Sequence, residues 1–105
     1  MPSFKIQLPH TQSQEEVISR LSQFVLRMEK EFSGKITQSE SSWIDNKMTF
    51  SFIVSGFRIS GEMTIEDHEV IVDGRVPLLA APFMGRVERE IEKALADELA
   101  SMPQV

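Results

Sequence analysis

The chain has 105 residues and no cysteine, with a formal net charge of −5. That length fits one domain, residues 1–105, and excludes a second core. The acidic balance argues against a phosphate backbone as partner, and the missing thiols exclude disulfides, thiolate nucleophiles and sulfur-ligated metal sites.

Phe4-Lys5-Ile6-Gln7-Leu8 alternates apolar and polar side chains, the period of a half-buried strand that Pro9 ends. Ser13 followed by Glu16 reads as a capping box, with Thr11 and Gln14 as an alternative start. Val17, Leu21, Phe24, Val25, Met28 and Phe32 then form one helical apolar stripe, with Arg20, Arg27 and Lys30 off it. Gly34 stands where a left-handed helix cap is expected.

Residues 35–76 read as four strands of an antiparallel meander. The first, Lys35 to Trp43, is polar and fits an irregular or edge strand. Asp45-Asn46, Ser55-Gly56 and Glu66-Asp67-His68 supply the turns. The inward faces are Met48, Phe50, Phe52 and Val54; then Phe57, Ile59, Gly61, Met63 and Ile65; then Val70, Val72, Gly74 and Val76. Pro77 to Pro82 is an apolar connector. A last helix starts near Pro82 or Phe83, carries Phe83, Val87, Ile91, Ala94, Leu95 and Leu99 as its stripe, and stops before Pro103. The expected architecture is α+β, β-α-β-β-β-β-α, an antiparallel sheet with two helices packed on one face.

Candidate chemistry is sparse. No catalytic, cofactor-binding or metal-binding set is legible. His10 and His68 lie in loops and read as surface side chains, too few for a zinc site. Glu66, Asp67, Glu69, Glu88, Glu90 and Glu92 fall at turn or helix-exterior positions, where solvation explains them. Glu88 suits pairing with neighbours one helical turn away, and Glu62 suits Arg58 or Arg75 across strands. Ser39, Ser41 and Ser42 lie outside any nucleophile elbow, and there is no glycine-rich phosphate loop. Gly56 fits a turn and Gly61 a strand bend or close packing. Phe24, Phe50, Phe52, Phe57 and Phe83 are expected to fill the space between sheet and helices, leaving no roomy pocket. Trp43, the one tryptophan, suits capping of the core edge or stacking on a ligand. The connector at Leu78, Leu79 and Phe83 either closes the core end or docks on an apolar surface. The polar sheet face, interrupted by Ile53 and Ile71, suits solvent or an oligomer contact.

Several segments carry a family resemblance. Pro9-His10 between the first strand and the long helix, Trp43-Ile44-Asp45-Asn46-Lys47-Met48-Thr49-Phe50, Gly56-Phe57-Arg58-Ile59-Ser60-Gly61, Val70-Ile71-Val72, Leu78-Leu79-Ala80-Ala81-Pro82 and the last helix together resemble the polyhydroxyalkanoic acid system proteins. The polar run Thr37 to Ser42 is longer than that pattern, and Val76-Pro77 replaces an expected glycine. The resemblance implies a bacterial, non-enzymatic accessory protein that associates with polyhydroxyalkanoate granules or their proteins. The element order is also similar to a trimmed helix-grip fold, which implies a small apolar, fatty acyl-type ligand instead. Granule contact is expected near Leu78, Leu79 and Phe83, and the acyl ligand between the last helix and the strands bearing Phe50, Phe52, Phe57 and Ile59. With Trp43, the candidate apolar contact or ligand residues are Trp43, Phe50, Phe52, Phe57, Leu78, Leu79 and Phe83. A structural homo-oligomer is the third expectation. No cofactor, no nucleic acid and no membrane span is expected, and the simplest location is the cytoplasm.

Overall fold

In the computed structural model, which describes residues 2–102, eight elements follow the expected order. Strand β1 (Ser3–Pro9) leads to helix α1 (Gln14–Glu31) and then to strands β2 (Ile36–Ile44), β3 (Lys47–Val54), β4 (Phe57–Ile65) and β5 (Glu69–Arg75). A 3-10 helix (Leu78–Phe83) and helix α2 (Met84–Ala100) complete it. The fold is α+β, as the alternation of residue types implies. The expected stop at Pro103 lies outside the described residues.

All strands are antiparallel, in the order β1-β5-β4-β3-β2. The meander fixes β2 to β5, and β1 joins beside β5 with Ile6 opposite Val72. The polar strand β2 is the far edge. It slips register between Thr37 and Glu40, where Gln38 takes a φ of 50°. Such a bulge twists an edge and discourages further strand pairing. Ser55 and Gly56 both have positive φ, as a two-residue hairpin turn requires.

Two glycines sit side by side in mid-sheet. Gly61 faces Gly74, flanked by Phe50 on β3 and Phe4 on β1. A Cβ on Gly74 would lie 2.1 Å from Phe4 Cζ, and one on Gly61 would lie 2.2 Å from the Asp73 carbonyl oxygen. The two rings thus lie over bare backbone, and close packing rather than a bend explains Gly61.

Helix α1 starts as expected: Ser13 Oγ accepts from the Glu16 backbone N–H. Val17, Leu21 and Phe24 are buried against the sheet, as are Leu95 and Leu99 of α2. Helix α1 ends at Phe32 with an ordinary negative φ, so the expected left-handed cap at Gly34 is not formed. The chain closes the end instead with Lys35 and Ile36 N–H groups donating to the Phe32 carbonyl.

The helices are tied to each other by a polar clasp. Glu98 of α2 is 8% exposed. Its carboxylate accepts from Arg20 Nε and from Arg27 Nη2, both on α1. Arg20 also donates to Ser101 Oγ at 2.7 Å, and Arg27 lies over the Phe24 ring. Arg20 and Arg27 are seven residues apart, two helical turns, so one carboxylate can meet both.

Candidate functional site

Beyond the clasp, the sheet's apolar face opens into a cleft of about 810 Å³. Its floor comes from β3 and β4: Met48, Phe50, Phe52 and Val54, then Phe57, Ile59 and Met63. One wall is the C-terminal part of α1, with Phe24, Val25, Met28 and Phe32. The other is the start of α2, with Val87, Ile91, Ala94 and Leu95, continued by Ala80 and Phe83. The strand positions arise from period-2 alternation and the helix positions from spacing of three and four, so one patterning rule per element brings them together.

The expectation of a filled interior is therefore corrected. Phe24 is buried, but Phe50, Phe52 and Phe57 are only half-buried and Phe83 is exposed. Phe50 and Phe52 are two apart on one strand, so their rings stand on the same face, stacked with centroids 6.2 Å apart. They line a space rather than fill it. The cleft's size is in the usual range for a small-ligand site, roughly 300–1,000 Å³.

The polar residues lining the cleft are Glu29, Glu31, Ser39, Glu40, Ser41, Ser51, Ser55, Arg86 and Glu90. None of them is buried, so the polar chemistry lies on the rim and the interior is apolar. No group of three or more metal-ligating side chains occurs among the described residues.

The connector makes a lip beside the cleft. The 3-10 helix buries Ala80 but turns Leu78 and Leu79 outward, 75% and 82% exposed, with Phe83 at 56%. Closing the core is thus the work of Ala80 alone on this segment. Trp43 is half-buried against the core and stands apart from the cleft lining. Of the seven contact residues expected, four line the cleft (Phe50, Phe52, Phe57 and Phe83), two project from the lip and one stays at the core edge.

Three further expectations change. His10 is buried rather than on the surface: its Nδ1 accepts from the Gln12 N–H and its Nε2 donates to the Glu66 carbonyl, 2.8 Å away. Accepting at Nδ1 places the ring proton on Nε2. It braces the end of β1 against the β4–β5 turn, whereas His68 is exposed. Glu62 pairs with Lys47 at 3.3 Å, not with Arg58 or Arg75. Arg58 instead donates to Ser51 and Gln38. Glu88 has no ion pair among the described residues. The clasp carboxylate, Glu98, escapes sequence reasoning. Its signal is a charge between Leu95 and Leu99 on the buried stripe.

Residues 4–99 match a protein family described as "Putative polyhydroxyalkanoic acid system protein". No curated protein matches the chain. Among solved structures, that of the Thermus thermophilus protein TTHA0849 is similar over 96% of this chain and 100% of its own, at 11% identity and a TM-score of 0.43. No helix among the described residues is long and apolar enough to cross a membrane.

Proposed function

The chain belongs to the polyhydroxyalkanoic acid system family, and from that premise we propose that it is a non-enzymatic accessory protein that associates with polyhydroxyalkanoate granules or their proteins. The observation that carries this is the lip: Leu78, Leu79 and Phe83 stand out of one short helix, exposed, beside a half-covered apolar sheet face. A soluble monomer exposes single apolar side chains freely, but a cluster continuous with an apolar cleft marks a contact surface. Polyhydroxyalkanoates are aliphatic polyesters, and their surface offers such a cluster an apolar partner. The test is co-sedimentation of the purified protein with isolated granules, beside the Leu79→Asp variant. The wild type is expected in the granule pellet and the variant in the supernatant. Wild type that stays in the supernatant would remove the proposal.

A second reading rests on the cleft itself. About 810 Å³ of apolar space with a polar rim suits a small neutral acyl-type ligand. Native mass spectrometry of the purified protein, against a denatured control, is expected on this reading to show a retained lipid mass. A single unliganded mass from freshly prepared protein would set it aside.

A further inference from the structure

We propose that the cleft docks a basic amphipathic helix of a partner protein. The inference deepens the accessory reading and rests on it. The apolar walls alone would accept any greasy occupant, and the rim discriminates among them. Glu29, Glu31, Glu40 and Glu90 line the cleft together with a single cation, Arg86. None of the four carboxylates has an ion pair among the described residues. Lys30 and Lys35 lie nearby in sequence but are not part of the lining.

A second source of negative potential lies at the same place. Met28, Glu29, Glu31 and Phe32 bring the C-terminal turn of α1 to the cleft, and a helix C-terminus carries partial negative charge. Glu29 and Glu31 add to this field, and Lys30 of the same turn, outside the lining, offsets part of it.

A fatty acid would bring its own carboxylate to this rim, which carries four carboxylates and one guanidinium. A basic helix satisfies both features at once. Leucine-type side chains at spacings of three, four and seven fill an apolar groove, and lysine or arginine on the flanks meets the rim. Charge of this kind guides encounter and selects partners, and salt weakens it.

The test uses the full chain and two synthetic helical peptides with one leucine pattern, one flanked by lysines and the other by glutamates, with oleate as a third probe. Fluorescence anisotropy of each peptide, and competition by oleate, gives the affinities. The lysine peptide is expected to bind at least about tenfold tighter than the glutamate peptide, and to weaken as salt rises from about 0.02 to about 0.3 M. The double variant Glu40→Lys/Glu90→Lys is expected to reverse the preference. Glu15→Lys/Glu66→Lys, the same charge change away from the cleft, is expected to leave the preference in place. Equal binding of both peptides, tighter binding of oleate, or the same loss from both double variants would overturn the proposal. Granules and Leu79 take no part in this assay, so its failure leaves the granule result standing, and the reverse holds too.

Discussion

The two halves of one sheet face differ in cover rather than in composition. On β5 and β1 the inward residues Val70, Val72, Phe4 and Ile6 are buried. On β3 Met48 is buried too, but Phe50, Phe52 and Val54 stay half-exposed, although they are at least as apolar. Helix α2 packs on β1 and helix α1 on β4, the two clasped at Glu98, while β3 is left as open floor of the cleft. Position of the helices, not hydrophobicity of the strands, decides which part of the face becomes core and which stays open.

Substitutions should break that contrast in order of size. Gly61→Ala sits at the seam of the two halves, between Gly74 of β5 and Phe50 of β3. Its Cβ would meet backbone, the Asp73 carbonyl oxygen at 2.2 Å, which cannot swing aside like a side chain. Overpacking of this kind costs about 3 kcal/mol, so urea unfolding is expected to show a large drop in midpoint. A wild-type midpoint would mean that the glycine pair is not in close contact. Glu98→Ala comes next. It leaves Arg20 and Arg27 facing each other at the clasp, but both are partly exposed and water repays part of the loss. We expect about 2 kcal/mol, below the full penalty of a buried pair. Glu98→Gln should fall between wild type and Glu98→Ala because it keeps the shape and one acceptor. Leu79→Asp, on the open side, should change stability by less than about 0.5 kcal/mol, as exposed positions usually do. An unfolding midpoint lowered as far as that of Glu98→Ala would place Leu79 in the core after all.

Much of this architecture is legible in the residues. The Met48-Phe50-Phe52-Val54 alternation places a strand and its inward face. Ser13 with Glu16 places the start of α1, and the dominance of polar residues from Thr37 to Ser42 marks an edge. Periodicity says which side of an element is apolar, because that is local chemistry. It does not say what covers that side. A count of phenylalanines therefore suggests a filled interior, when Phe50, Phe52 and Phe57 line a cleft. His10 is misread for the same reason: its burial comes from the β4–β5 turn, 56 residues further along the chain. Glu98 is half-legible, since a charge on an apolar stripe asks for a partner and Arg20 and Arg27 share a face, but only the packing of α1 on α2 joins them.

The central claim is that the open half of the face is a contact surface, and granule co-sedimentation tests it most directly when a control on the opposite face is added. Ile53 lies on the outer side of β3, opposite Arg58 in register. Wild type and Ile53→Asp are expected to pellet with granules while Leu79→Asp stays in the supernatant. Loss of pelleting in Ile53→Asp with retention in Leu79→Asp would contradict it, and would move the contact to the outer sheet face.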